Sequence, residues 1–408
     1  MEKRLPVLKR RLWVVTELYY PEETSTGYYL TRIAEGLADD FDVKVLCGQP
    51  TYSARGTVAP KHEIHNGVEI FRGSGTTLDK NVIVLRLMNM LTLGLSMFFA
   101  ALTTFRQGDT VLVVTTPPSM PFVVALAALV KGSSYILLIH DNYPEILIAV
   151  GKSTAHSLLA KTISFFNRWL YKYAAKIIVV GRDMHELLAR KTVGLDIPIV
   201  TIPNWAELES VAPSPREGNG LLEELGLSEK FVLLYAGNLG HPNDLESIVE
   251  CAHMLRDEAA LHFVFLGAGA KRKWLETRVV QLSLKNMTVL DPRPRSEQRV
   301  FLNGCDVAVV SLVNKMLGVS MPSRTYNILA AGKPILALAD EGSELARVVN
   351  EEGVGWVVPP GNPDILKETV LEILRSREHL PAMAIGARTA ALGKYSLETA
   401  IEKYRSAL

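Results

Sequence analysis

Two sets of short, β-branched apolar runs, each run separated from the next by a stretch of helical length, constrain this chain more than any other feature. The first half carries "LWVVTEL", "DVKVLCG", "DTVLVVTT", "YILLIHD" and "KIIVVG" in this alternation. Apolar strands joined through helices are what a parallel sheet covered on both faces requires. After "IPNWAELESVAPSPREGNG" at 202–220, a polar stretch broken by Pro and Gly, the alternation restarts with "FVLLYAG", "HFVFLGAG", "MTVLDP", "DVAVVSL", "KPILALA" and "GWVVP". The predicted fold is therefore α/β, with two Rossmann-like, doubly wound parallel-sheet domains joined by a linker. The last stretch, 380–408, reads as helices without a strand.

Composition limits the partners. With 408 residues, 48% of them hydrophobic, and a net charge of +1, the chain can bury a large core and has no cationic excess that would call for nucleic acid. Cys47, Cys251 and Cys305 are odd in number and far apart, with no CxxC pair, which argues against a disulfide framework or a zinc site and fits a reducing compartment. The opening "MEKRLPVLKRRLWVV" reads as a first strand after a basic lead, so a cytoplasmic location is expected. Residues 87–105, "LMNMLTLGLSMFFAALTTF", carry no charge. Nineteen apolar-leaning residues suffice to span a bilayer. Asn89, Thr92 and Ser96 dilute the stretch, so it reads as a helix that covers a sheet or lies in a membrane interface. Lys3, Arg4, Lys9, Arg10 and Arg11, with the basic residues of "NRWLYKYAAK" at 167–176, would then meet anionic headgroups or form a solvated face.

In open α/β sheets ligands sit beyond the carboxyl ends of the strands, and this sequence places its glycines there. "YAGNLG" (Gly237, Asn238, Gly240) and "FLGAGAKRK" (Gly267, Gly269, Lys271) each leave a strand and precede a helix. "MPSRTYNILAAG" presents a third helix start, with Ser323 as the expected cap and Arg324 as a bidentate donor. Free N–H groups at such starts favour a phosphate, and close strand–helix packing demands glycine equally. "GAGAKR" is not GxGxxG and "AAGKPI" is not a P-loop, which disfavours a dehydrogenase or a P-loop nucleotidase.

"LLYAGNLG…DLESIVECA", "FVFLGAGAKRKWLE", "MPSRTYNILAAGKPILA" and "GVGWVVPPGNPDIL", with "YYPEETSTGYYL", "VVTTPPSMP", "IHDNYPE" and "IPNW" before them, resemble family 4 glycosyltransferases of the GT-B fold. The bacterial branch that builds surface polysaccharides is the most similar. The resemblance implies an acceptor domain over 1–205, completed by helices from about 390–408, and a nucleotide-sugar domain over 206–389, the two facing a cleft. It also implies transfer with retention from a nucleotide-sugar to a glycan or polyprenyl-linked acceptor, with no cofactor and no obligatory metal. His140 corresponds to the histidine beside the transferring sugar. Asp141 and Glu145 would orient sugar or acceptor hydroxyls, and Ser25, Thr26 and Gly27 belong to the loop that approaches the diphosphate and the acceptor. Gly237, Asn238, Gly240, His241, Gly267, Gly269, Lys271, Ser323, Arg324 and Asn327 would surround the donor, its base near "LDPRPR".

The chain departs from the pattern it resembles. The family's glutamate pair before "AAGKP" falls on Val319 and Asn327, and the Arg and Lys of its diphosphate clamp fall on Asn238 and Asn243. Asn327 replaces a ribose-binding carboxylate only in part, and a valine offers the donor sugar no acceptor. Arg324, Lys315 and the Lys271, Arg272, Lys273 cluster are the candidate compensating charges. Two readings follow: an active transferase at the inner membrane face, with 87–105 touching lipid, or a degenerate relative that serves a polysaccharide assembly as a binding or scaffold partner. A GT-B epimerase would need interdomain acids of which no convincing set stands out.

Overall fold

The computed structural model describes residues 9–51, 58–78 and 82–408. The first sheet comprises β1 (Arg11–Val15), β2 (Asp42–Cys47), β3 (His62–His65), β4 (Val68–Arg72), β5 (Thr110–Val114), β6 (Ser134–Ile139), β7 (Lys176–Val179) and β8 (Ile199–Thr201). Their order is β3-β4-β2-β1-β5-β6-β7-β8, and only β3 against β4 is antiparallel. The second sheet comprises β9 (Phe231–Ala236), β10 (Leu261–Leu266), β11 (Met287–Leu290), β12 (Val307–Ser311), β13 (Ile335–Leu338) and β14 (Gly355–Val358). It runs β11-β10-β9-β12-β13-β14, parallel throughout.

The apolar runs read from the sequence all form strands, the central ones buried on both faces between helix layers and the edge strands β11 and β14 half-buried. Three strands were not anticipated. β3 and β4 form a hairpin whose turn residues Asn66 and Gly67 have φ of 47° and 79°, the left-handed pair that a tight primed turn requires. Its alternation buries Val68, Ile70 and Arg72 with Glu69 and Phe71 half-buried between them, and β3 is polar but for Ile64, so no apolar run announces it.

Helices cover both sheets. In the first unit these are α1 (Ser25–Leu37), α2 (Ile83–Thr104), α3 (Met120–Lys131), α4 (Glu145–Ala149), α5 (Leu158–Tyr173) and α6 (Arg182–Lys191). In the second they are α7 (Gly220–Leu225), α8 (Leu245–Met254), α9 (Arg272–Gln281), α10 (Gln298–Asn303), α11 (Arg324–Ala330), α12 (Glu344–Glu351) and α13 (Pro363–Arg375). The uncharged stretch 87–105 is the body of α2. Leu93, Met97 and Ala101, four residues apart on one stripe, are buried in the core of the first unit, whereas Leu87, Leu91, Leu95 and Phe99 are exposed. The helix is long and apolar enough to cross a membrane, yet it covers a sheet with one stripe and keeps an apolar stripe outside.

The basic N-terminus serves the fold. Lys9 donates to the Ala38 carbonyl at 2.9 Å, Arg10 lies over the Phe41 ring, and Arg11 donates to the Thr104 carbonyl at the end of α2 and pairs with Asp109. These three are thereby spent inside the protein, and Lys3 and Arg4 lie outside the described residues. The final helices α14 (Leu380–Lys394) and α15 (Leu397–Ala407) diverge: α14 packs on α11 and α15 returns to α1. Ile401 lies so close to Gly36 that a Cβ there would stand 2.7 Å from it, and Arg405 pairs with Asp40 at 2.6 Å.

The two units meet through loops at the carboxyl ends of their strands. The Asn142 N–H donates to the Val319 carbonyl at 2.8 Å, and Asn142 Nδ2 donates to the Gly318 carbonyl at 2.7 Å. Asp183 Oδ2 accepts from the Gly318 N–H at 2.8 Å, while Arg182 reaches Glu344 and Glu351 across the same boundary. Asn142 is buried, so Asn142→Ala strands the Gly318 carbonyl without a donor, at a cost of about 1–3 kcal/mol. Differential scanning calorimetry should show a midpoint a few degrees lower; an unchanged midpoint would mean that this contact does not hold the units together.

Candidate functional site

β9 and β12 are neighbours whose following connections diverge, so a crevice opens beyond their carboxyl ends. A cavity of about 680 Å³ occupies it. Gly237 and Asn238 line it after β9, Gly267 and Ala268 after β10, Arg293 and Arg295 after β11, and Ser320, Ser323 and Arg324 after β12. Glu23, Thr24, Ser25 and Asp141 face them from the first unit.

The glycines shape this wall by letting loops touch. A Cβ on Gly267 would stand 1.9 Å from the Gly237 carbonyl oxygen, and one on Gly269 would stand 2.5 Å from the Leu239 carbonyl. The contact is sealed by hydrogen bonds from the Leu239 N–H to the Ala268 carbonyl and from the Lys271 N–H to the Leu239 carbonyl, both 2.8 Å. The glycine requirement at 267 and 269 is thus met by loop against loop. A Cβ on Gly240 would first meet the Asn238 side chain, at 2.8 Å, and one on Gly237 would meet Arg324 Nη1 at 2.4 Å.

Arg324 is the best-prepared cation in the cleft. Its guanidinium lies 4.3 Å from the centre of the Tyr235 ring, and Nη2 donates to Asn243 Oδ1 at 3.1 Å. Asn243 Nδ2 and Tyr235 Oη are themselves anchored on the Asn238 carbonyl, at 2.9 and 2.8 Å. Arg324 Nε is buried with no protein acceptor. The other two lining arginines are neutralised: Arg293 pairs with Glu224 and Glu297, and Arg295 pairs with Glu207 while lying over the Tyr28 ring. Among the described residues lining the cleft, Arg324 is the cation without a carboxylate partner, and the positive potential gathers there.

Of the residues singled out in the sequence, Ser25, Asp141, Gly237, Asn238, Gly267, Ser323, Arg324 and Asn327 line the cleft. Others stand elsewhere. His241 is solvent-exposed off the cleft wall. Lys271 braces α8, donating to the Asn243 carbonyl and pairing with Glu246 at 2.8 Å, and Arg272 holds the Gly267 and Leu290 carbonyls. Lys273 and Lys315 are exposed, so the proposed compensating cluster supports loops instead of facing the cavity. Ser323 makes no side-chain cap; its hydroxyl is 2.7 Å from the Ser25 hydroxyl across the cleft. Thr24 caps α1, accepting from the Gly27 N–H, which places Ser25, Thr26 and Gly27 in its first turn. Glu145 forms an ion pair with Lys191 at 2.7 Å and does not line the cavity. Asn327 is committed as well: Oδ1 accepts from the Glu207 N–H at 2.9 Å, and Nδ2 donates to Gln298 Oε1 at 2.7 Å and to Glu207. Val319 is buried and contributes its carbonyl to the domain contact.

His140 and Asp141 follow β6 directly, yet they differ in exposure to the cavity. Asp141 lines it and bridges to Ser320. Burial pushes its carboxyl up to about 6, with the Ser320 hydroxyl opposing the shift. His140 is not in the lining; its N–H bonds Thr115 Oγ1 and its Nε2 is enclosed without a protein partner. Burial lowers its pKa to about 4, so the ring is neutral at pH 7. Sequence reasoning missed Gln298, Glu207 and the part Arg295 plays in the cleft; the arginines of "LDPRPRSEQ" were the available signal. Among the described residues no group of three or more His, Cys, Asp or Glu side chains converges as a cation site.

The loop packing yields a stability test. Gly269→Val forces a branched side chain into the Leu239 carbonyl and should unlock both loops, lowering the thermal midpoint whether or not a nucleotide is present. A variant that melts like the parent but loses nucleotide would instead place the glycine against ligand.

Residues 25–205 match the family described as glycosyl transferase 4-like domain, and residues 222–390 match glycosyl transferases group 1. A probable glycosyltransferase, WbjE, of Pseudomonas aeruginosa is 30% identical over 375 residues, 89% of either chain. A putative colanic acid biosynthesis glycosyl transferase, WcaI, of Escherichia coli (strain K12) is 25% identical, covering 88% of this chain and 91% of its own. Among solved structures, sucrose-phosphate synthase of Thermosynechococcus elongatus superposes with a TM-score of 0.80 at 16% identity, covering 98% of each chain. Anabaena HepE in complex with UDP and glucose gives 0.72 at 14% identity, covering 98% of this chain and 99% of its own. Two parallel-sheet units around a switch-point cleft, matched along both halves, make this chain a GT-B glycosyltransferase that belongs to the family 4-like, group 1 glycosyl transferases.

Proposed function

We propose that the protein transfers a sugar, with retention and without a required metal, from a nucleoside-diphosphate sugar to a glycan or lipid-linked acceptor in bacterial surface polysaccharide synthesis. One observation carries this reading: a single cleft holds an unneutralised, pre-oriented arginine on one wall and a half-buried, desolvated carboxyl on the other. The polysaccharide assignment rests on the relative named for colanic acid biosynthesis, and the nucleotide on the structural neighbour that holds UDP.

The roles follow from charge. As the glycosyl–oxygen bond to the diphosphate breaks, negative charge grows on the leaving phosphate, and Arg324 is aimed to stabilise it at no reorganisation cost. Gly237, Asn238 and Gly267 line the wall beside which the donor's phosphates meet Arg324, and Ser25 and Ser323 close over them from opposite domains. Asp141, ionised above about pH 6, takes the proton of the acceptor hydroxyl as that oxygen bonds to the anomeric carbon on the face that the leaving group vacates. His140, uncharged, shapes the sugar's surroundings from behind that wall. The protein works in the cytoplasm at the inner membrane face.

Calorimetry and thermal shift against UDP, GDP, ADP, TDP and CDP, with EDTA present, test the donor reading. One nucleotide should raise the midpoint, and Arg324→Ala should weaken it at least about tenfold while lowering turnover about a hundredfold. Silence from the folded protein toward all five would favour the non-catalytic binding partner, whose basis is Val319, Asn238 and Asn243.

The acid side gives a pH test. Because the carboxyl of Asp141 is protonated below about 6, turnover should rise through that pH and level off above it. Asp141→Asn should remove the limb and most of the rate, while His140→Ala keeps nucleotide binding, lowers turnover and leaves the limb in place, since the histidine titrates near 4. A limb that moves with His140 would overturn the assignment.

A further inference from the structure

Three positions on one continuous segment give the cleft a direction. Ser320 bridges to Asp141, where the proposed transfer takes place, and Arg324 stands ready for the diphosphate. Asn327, one helical turn further along α11, lines the same cavity. Residues three apart on a helix are neighbours, with about 5–6 Å between their Cβ atoms. With the transferred sugar toward Ser320 and the phosphates at Arg324, the ribose of the donor falls at Asn327.

The groups at that corner cannot serve two neighbouring hydroxyls. Asn327 is buried, its Nδ2 donating to Glu207 and to Gln298 and its Oδ1 accepting the Glu207 N–H. The Glu207 carboxylate does not line the cleft; it holds Arg295 through Nε, at 2.9 Å, and Nη2. Among the described residues, no carboxylate of the second unit lines the cleft at all. Gln298, the first residue of α10, completes the corner: its Oε1 accepts from Asn327 at 2.7 Å, and its Nε2 has no partner among the described residues. A carboxylate can accept the protons of both hydroxyls of a cis-diol, whereas one amide gives a hydroxyl one N–H and takes one proton in return.

We infer that the nucleoside corner reads a single ribose hydroxyl, the 3′ one, through the Gln298 amide, and so admits a 2′-deoxyribonucleoside diphosphate donor, of which TDP is the type, without loss. The 3′-hydroxyl is the nearer of the two to the phosphates, so the one-turn offset from Arg324 reaches it first. The 2′ position then meets no group that would miss its oxygen. Asn327, itself held by Glu207, is the positioning residue that keeps the Gln298 amide turned this way. The inference rests on the donor reading and adds the class of nucleoside that the donor site takes.

Calorimetry of the full chain with the ribo- and 2′-deoxyribonucleoside diphosphates of uracil, cytosine, guanine and adenine is the test, read for whichever base binds. The two members of that pair should bind within about threefold of each other, while the 3′-deoxy form of the same nucleotide loses about tenfold, the worth of one hydrogen bond. Gln298→Ala should weaken the ribo and 2′-deoxy forms alike and erase the 3′ penalty. Asn327→Ala should shrink that penalty below about threefold, a ratio between two ligands that lowered stability alone would not move. Gln298→Glu keeps the side chain's size and still accepts from Asn327 Nδ2, so it should hold both hydroxyls and make the 2′-deoxy form at least about tenfold weaker than its ribo partner. A parent protein that binds the 2′-deoxy form ten times more weakly, or a 3′ penalty that survives Gln298→Ala, would overturn the inference and leave the donor reading standing. Binding of no nucleotide by the folded protein would sink the donor reading, and this inference with it.

Discussion

The hydrogen bonds between the 140–142 loop and the 318–320 segment are what the rest of the site depends on. Asn142 uses its N–H and its amide on two consecutive carbonyls, Asp183 takes the Gly318 N–H, and Asp141 bridges to Ser320. Backbone groups buried this deeply need partners, and here each unit supplies the other's. The result fixes Asp141 opposite Arg324. It also accounts for Val319, because a position buried within the domain contact has no room to solvate a carboxylate and its carbonyl is already in use.

Around that fixed point the charges are distributed unequally. Glu207 and Glu224 quench Arg295 and Arg293, whereas Arg324 is held by a neutral amide and an aromatic face. An arginine stacked and hydrogen-bonded in this way has little rotamer freedom left to lose when an anion arrives. The asparagines at 238 and 243 belong to this arrangement: Asn243 orients the Arg324 guanidinium, and the Asn238 carbonyl anchors both Asn243 and Tyr235.

How much of this was legible in the sequence follows from what each signal depends on. Apolar runs report burial on both faces of a sheet, so the parallel strands and the two-unit organisation could be read directly. The β3–β4 hairpin could not, since its polar alternation hides behind a single Asn-Gly pair that only turn chemistry would have flagged. Strand-end loops showed where the cleft lies but not which side chains enter it. Lys271, His241 and Glu145 lie in the expected loops and point their groups to α8, to solvent and to Lys191. Direction is decided by tertiary neighbours, and Glu207 is the clearest case: it sits in the linker, where nothing local marks it as the carboxylate that Asn327 and Arg295 share.

The return of α15 to α1 has a consequence for how the chain comes to be folded. Ile401 fills the space beside Gly36, Arg405 answers Asp40, and Lys176 reaches the Ala407 carbonyl, so the outermost layer of the first unit is supplied by residues made after the whole second unit. During synthesis the first sheet must wait, with that flank of α1 uncovered, while the entire second unit is translated. Contacts of such sequence separation are slow to form, and they make the first unit the earlier to begin and the later to finish. A protein laid out this way completes its first domain only after its second has been made, when α15 docks on α1.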